Sequence, residues 1–266
     1  MKRMRVSAGD YWRYFGNRLI NLAEIEEGCT VLDVGTGGGS CLFPAGKKVG
    51  GQGKVIGIDI FHEEVRTTLD RMNEYEVGNV HVLQMDAANL GFKRSTFDVV
   101  TSGFIGWDNC FDFVECRSID NTWLEEIIRV LKDGGLIGLN SWAFQEENEF
   151  LRNLLITYLE KPEIHIPINY SKENAKGLQE MLNDAGFEKI KVLEEKTDII
   201  YRDEEQWWKI MQSIGWHFHL ERVRNMGVNL EPFDREVVTE LQNHKDADGI
   251  HFAKNVLFSF GTIDHS

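Results

Sequence analysis

The stretch VLDVGTGGGS, Val31 to Ser40, decides the fold. A short apolar run ends in Gly35-Thr36-Gly37-Gly38-Gly39 and passes into a helix-forming segment. Glycine at such a junction lets the backbone turn sharply and lets a ligand approach the main chain with no Cβ in the way. The helix N-terminus that follows presents free N–H groups to an anion. Working outward, comparable β-branched runs stand at Thr30–Val34, Lys54–Ile58, Val80–Gln84, Phe97–Thr101 and Leu136–Asn140. Runs of this kind mark strands buried on both faces of a parallel sheet. Between them lie amphipathic helices. Val65, Leu69 and Met72 share one face, and Leu124, Ile127, Ile128 and Leu131 follow the i, i+3, i+4, i+7 spacing, with Asn121 as N-cap and Gly134 as stop. Strand–helix alternation implies right-handed crossovers and an α/β, doubly wound sheet.

After Asn140 the rhythm changes. Helices are expected at Glu146–Glu160 and Lys172–Ala185, the second between Ser171 and Gly186, and another from Asp203, whose spacing to Gln206 fits a capping box. Val237, Val238 and Leu241 mark a further short helix. Phe187–Ile200 and His251–Phe260 alternate and read as two late strands, for seven in all. There is no repeat and no Pro- or Ser-rich linker. The expectation is one domain over 1–266: a core at about 22–142, late strands at about 187–200 and 250–261, and a helical cap at about 143–170 and 203–245.

Composition narrows the function. The 266 residues carry 29 Lys and Arg against 43 Asp and Glu, a net charge of −14. A surface this acidic repels nucleic acid and anionic membrane, so neither is an expected partner. The four cysteines are dispersed with no CxxC pair, which disfavours a disulfide scaffold or zinc site and points to a reduced, cytoplasmic setting. MKRMRVSAGDYW is basic but has no apolar core, so it does not read as a signal peptide, and no run of 18 apolar residues occurs. A soluble intracellular protein is expected.

Asp59 closes VIGIDI about 20 residues beyond the glycine loop, where a carboxylate can accept both hydroxyls of a ribose. Loop and acid together suit either a nicotinamide dinucleotide or S-adenosylmethionine. Asp86, in LQMDAANL, ends the third strand, placed to accept from an adenine amino group. With FDVVTSGF and EEIIRVLKDGGLIGL added, the chain resembles the class I S-adenosylmethionine-dependent methyltransferases, above all the broad ubiquinone/menaquinone-biosynthesis-like (type 11) group. The likeness is strong over about Gly28–Trp142 and continues through LQEMLNDAGFEKIKV. It implies a Rossmann-like seven-stranded sheet, mostly parallel with an antiparallel C-terminal strand. Matched residue by residue, it implies that Gly35, Thr36, Gly37 and Gly39 wrap the methionine part of the cofactor and that Asp33 holds its amino group. Asp59 with Ile60 would take the ribose, and Asp86 with Ala87 the adenine. Ser102, on a loop after the fourth strand, would face the transferring methyl. The stretch IGWDNCFDFVECRSID, Ile105 to Asp120, is longer and less regular than the family's usual link.

Methyl transfer from a sulfonium is an in-line displacement with a good leaving group, so positioning supplies most of the catalysis and a base helps only a protonated acceptor. The chain has no Asn/Asp-Pro-Pro-aromatic run, no Pro-Cys pair and, after the fifth strand, Asn140-Ser141 rather than Asp-Asn. Base amino groups, pyrimidine carbons and metal-dependent catechol chemistry are therefore disfavoured, and no metal is expected. The acceptor is expected to be a small molecule under the cap, against Tyr11, Trp12, Trp107 and Trp142. His217 is the leading candidate for a catalytic base or orienting group, ahead of His219 and Asp108. Two other readings compete. A nicotinamide oxidoreductase would carry Tyr-x-x-x-Lys, and none of the six tyrosines has Lys four residues on. A non-catalytic sensor or scaffold would bind cofactor without turnover.

Overall fold

The run Thr30–Val34 is buried from its second residue onward, as a strand flanked on both sides must be. In the computed structural model, which describes residues 3–75, 78–159 and 173–264, it is the second strand. The chain begins with β1 (Met4–Ser7) and α1 (Tyr11–Leu22). Then come β2 (Thr30–Val34), α2 (Leu42–Val49), β3 (Lys54–Asp59), α3 (His62–Tyr75) and β4 (Val80–Gln84). After β5 (Phe97–Gly103) a small hairpin, β6 (Phe111–Asp112) and β7 (Arg117–Ser118), occupies the irregular stretch. Next are α4 (Thr122–Val130), β8 (Leu131–Gln145), α5 (Glu146–Leu159), α6 (Ala175–Asp184) and β9 (Glu188–Tyr201). The chain closes with α7 (Glu204–Met211), α8 (His217–Asn225), α9 (Glu231–Leu241), β10 (Lys245–Asp246) and β11 (Gly249–Thr262).

These elements form two compact units. The larger comprises Trp12–Ala143, Ser171–Glu195 and Val256–Ser266; the smaller comprises Met1–Tyr11, Phe144–Tyr170 and Lys196–Asn255. In the larger unit the strand order is β9-β11-β8-β5-β2-β3-β4. β2 is parallel to β3 and to β5, β3 to β4, and β5 to β8. α2 packs on β2 and β3, and α3 on β3 and β4. In the smaller unit β1 runs parallel to β9, while β10 and the C-terminal strand β11 make the antiparallel pair. All seven expected strands are present in a mostly parallel sheet. β1 and β10 were not anticipated, being four and two residues long.

Several local expectations need correction. Gly134 does not stop a helix. α4 already ends at Val130, and Gly134, with φ +72°, lies inside β8 where the β5–β8 register slips between Phe97 and Val99. Asn121 makes no side-chain cap; Asp120 Oδ1 instead accepts from the Thr122 N–H at 2.9 Å. α6 starts at Ala175, capped by Asn174, whose Oδ1 accepts from the Gly177 N–H at 2.9 Å; Ser171 and Lys172 lie outside the described residues. Leu69 is 47% exposed, and Thr68 takes the buried position beside Val65. The Asp203 cap is present, accepting from the Gln206 N–H at 2.8 Å. Among the described residues no helix is long and apolar enough to cross a membrane.

Candidate functional site

The glycine loop leaves the carboxyl end of β2, an interior strand of the larger unit between β5 and β3, where the strand order reverses and a doubly wound sheet opens its ligand crevice. Gly35 has φ +68°, and a Cβ there would collide with Ile105; Gly39 has φ +81°, and a Cβ there would collide with the Phe43 ring. Gly37 is different. Beside its α-carbon the nearest group is Glu64 Oε2, 3.8 Å from where a Cβ would be, so the backbone faces open space. The turn is closed by Gly39 N–H donating to the Thr36 carbonyl at 2.8 Å, and Thr36 N–H donates to Ile58 O at 2.9 Å.

Asp59 joins the loop to β3. One carboxylate oxygen accepts from the Gly37 N–H at 2.9 Å and the other from the Phe61 N–H at 3.0 Å. Asp33 lies beneath the loop, 1% exposed, accepting from the Thr36 hydroxyl at 2.8 Å and the Thr101 hydroxyl at 2.9 Å. Burial pushes its pKa up to about 6, although both hydroxyl hydrogen bonds pull the other way. From α3, Thr68 donates to the Gly37 carbonyl and Arg71 to the Gly38 carbonyl, so one helix clamps two consecutive peptides. The Arg71 guanidinium also lies 5.9 Å from the Phe43 ring centroid and 5.6 Å from that of Tyr75, and these two rings stack at 4.0 Å. Sequence reading missed Thr68, Thr101 and Arg71. The signal was available in part: Thr68, Arg71 and Tyr75 recur at i, i+3, i+7 on the face that holds Val65.

Asp86 is exposed, with Oδ1 accepting from the Ala88 N–H at 2.9 Å, and Ile60 is 54% exposed beside Asp59. Ala87 packs partly on the core cluster. Ser102 is not on a loop: it is fully buried in β5, paired with Val34, and its hydroxyl donates to the Val34 carbonyl at 3.0 Å. Trp12, Phe104 and Trp142 form an aromatic group, Phe104 stacked on Trp142 at 4.2 Å and Trp12 edge-on to both. Trp107 stands apart from them, fully buried in the core cluster with its backbone N–H on the Glu173 carboxylate.

The other expected site residues belong to the smaller unit. Tyr11 is 2% exposed, and burial with nearby Glu147 raises its pKa. His217 is half-buried, its Nδ1 at 2.7 Å from the Gln212 carbonyl and its ring 3.7 Å from that of Phe218. Burial and Arg222 lower the pKa of His219. Among the described residues of this unit the most enclosed charges are Glu147 and Lys254, both without exposure and in direct contact, with the Tyr201 hydroxyl donating to Glu147 Oε1 at 3.1 Å.

A family described as "Methyltransferase domain" matches residues 25–215. The aklanonic acid methyltransferase DauC of Streptomyces sp. (strain C5) is 38% identical over 95 residues, 36% of this chain and 43% of that protein. The demethylmenaquinone methyltransferase of Lactococcus lactis is 36% identical over 110 residues, 41% of this chain and 40% of that protein. The chain thus spans under half the length of these curated relatives. Among solved structures, the YcgJ protein of Bacillus subtilis superposes with a TM-score of 0.58 at 18% identity, covering 95% of this chain and 100% of that one.

Proposed function

Since the chain belongs to the methyltransferase domain family, we propose that it moves a methyl group from S-adenosylmethionine to a small-molecule acceptor, with the cofactor held at the glycine loop of the larger unit. The observation behind this reading is the Gly37–Asp59 hydrogen bond at 2.9 Å, which fixes an open glycine backbone and a ribose-binding carboxylate as one piece. The residues suit the group. Gly37 leaves space where a Cβ would intrude, and Asp33, Asp59 and Glu64 set a negative field around it that favours a cation.

When bound, S-adenosylmethionine supplies an electrophilic methyl on a positively charged sulfur. The chain's own part is to hold and orient. Asp59 retains acceptor capacity beyond its two backbone donors and takes the ribose hydroxyls. Asp86 and Ala87 border the adenine, with exposed Ile60 against it. Thr68 and Arg71 hold the loop in one shape, which spares the ordering cost on binding. Trp12, Phe104 and Trp142 supply an apolar wall for the acceptor. The small-molecule class is supported by relatives named for aklanonic acid and demethylmenaquinone.

Calorimetry with S-adenosylmethionine, followed by turnover to S-adenosylhomocysteine across a panel of phenolic, quinol and amine metabolites, tests the reading. Binding with turnover on some member supports it. Absence of binding overturns the cofactor site, and binding without turnover across the panel favours a sensor.

A further inference from the structure

Asn140 ends up buried with half of its amide unused. It is 1% exposed, in β8, paired in register with Gly103 of β5. Its Nδ2 donates to the Phe15 carbonyl at 3.4 Å, and its Oδ1 lies on the side of Gly103. Oδ1 then has no donor among the described residues. A buried carbonyl oxygen left unmet is costly, and such groups in native proteins are met by water or ligand.

Its surroundings narrow the choice. A Cβ on Gly103 would lie 3.2 Å from Asn140 Oδ1 and 3.2 Å from Cys41 Sγ, so a side chain at 103 would crowd the ground between these two atoms. Cys41 precedes α2, just after the glycine loop. Val34 pairs with Ser102, and Gly103 pairs with Asn140, so Asn140 lies level with Gly35, where the loop begins. Ser141 also has an unmet buried hydroxyl, but strand alternation turns it to the opposite face. Asp33, the residue first expected to hold the cofactor's amino group, already receives two hydroxyl protons.

Resting on the cofactor site proposed above, we propose that Asn140 Oδ1 accepts a hydrogen bond from the α-ammonium of S-adenosylmethionine, with Asp33 acting from beneath as a charge rather than a direct partner. An amide oxygen suits this position because it accepts without contributing a further buried negative charge beside Asp33. Gly103 is then a glycine because any side chain would occupy the ammonium's approach.

The test compares three ligands by calorimetry: S-adenosylmethionine, S-adenosylhomocysteine and 5′-methylthioadenosine, which keeps the adenosine and thioether but lacks the amino-acid end. Asn140→Ala should weaken the first two about tenfold, the scale of one charge-assisted hydrogen bond, and leave 5′-methylthioadenosine within about twofold. Gly103→Ala should show the same selectivity by a different route. Equal losses for all three ligands, no loss for S-adenosylhomocysteine, or a loss confined to S-adenosylmethionine would each overturn the assignment. Asp59→Ala serves as the control for the site itself. It should weaken all three ligands, and if it weakens none the cofactor site fails irrespective of Asn140.

Discussion

In the larger unit Asp33 and Asp59 are buried against neutral donors, whereas in the smaller unit Glu147 and Lys254 are buried against each other. Hydroxyl and backbone N–H groups satisfy a carboxylate without cancelling its charge. The field of Asp33 and Asp59 therefore remains available to a cationic ligand. A lysine in contact with a glutamate leaves almost no net field. The first arrangement suits ligand binding, and the second suits the internal order of the smaller unit.

The largest effect that would break this comparison is the loss of one partner of the ion pair. Glu147→Ala removes the carboxylate in contact with the buried Lys254 ammonium and the acceptor of Tyr201, so it should cost about 3–5 kcal/mol of stability. The double change Glu147→Leu with Lys254→Met should cost less than either single change, because no buried charge remains unpaired. Urea melts of Glu147→Leu, Lys254→Met and the double variant check this. A double variant as unstable as the sum of the singles would mean that the pair is worth more than its isosteres.

Next in size is Asp59→Ala. At the proposed cofactor site it takes away the acceptor assigned to the ribose and frees the Gly37 N–H, so S-adenosylmethionine affinity should fall by one to two orders of magnitude, from about 1.5–3 kcal/mol of lost hydrogen bonding. Calorimetry on the folded variant reads it directly. Unchanged affinity would remove the charge-field distinction between the two units.

What was legible in the chain follows the range of each interaction. The glycine loop, the seven strands and the Asp203 cap depend on neighbours a few residues away, and each was readable from spacing. Placement errors arose where distant contacts overrule local pattern. Leu69 fits a helical stripe yet faces outward, since the loop carbonyls draw Thr68 and Arg71 inward instead. Ser102 reads as a loop hydroxyl just past the fourth strand, but β5 extends to Gly103 and the Val34 carbonyl accepts its proton in a hydrogen bond. Trp107 looks like a pocket wall in an irregular loop, and only the core cluster shows it to be packing. Nothing local couples Glu147 to Lys254.

A smaller effect concerns Asp33, whose pKa burial raises to about 6. A raised carboxyl favours the native state while protonated. That contribution is full below the ordinary carboxylate value and is lost as pH rises through about 6. Cofactor affinity should move the opposite way, tightening over the same window as the negative charge appears beneath a cationic ligand. If binding lowers the Asp33 pKa by one unit, the gain is about tenfold. Asp33→Asn should flatten the affinity profile between pH 5 and 7, and a variant that retains the full slope would show that another group sets it.

The smallest effect belongs to the edge of the smaller unit. His251, on β11, bridges two acids, with Nδ1 at 3.0 Å from Asp198 and Nε2 at 2.9 Å from Asp248. Arg5 on β1 reaches both acids, at 3.6 Å and 2.8 Å, and Asp246 adds a further negative charge beside Asp248 and His251. Burial alone would lower the histidine pKa, but the hydrogen bonds and charges of Asp198 and Asp248 outweigh it and raise the value. The protonated ring thus stabilises the folded state below the ordinary histidine pKa, and this is lost as pH rises through the folded value. The group is partly open to solvent, so the change should be modest and weaken with salt. Asp33, with its pKa at about 6, is mostly ionised above pH 7, so the interval from about pH 7 to 8.5 reads His251 with little contribution from Asp33. Denaturation midpoints across that interval should fall for the parent protein and stay flat for His251→Gln. An equal fall in both would assign the slope to the acidic surface as a whole, and the difference in charge handling between the units would then rest on Glu147 and Lys254 alone.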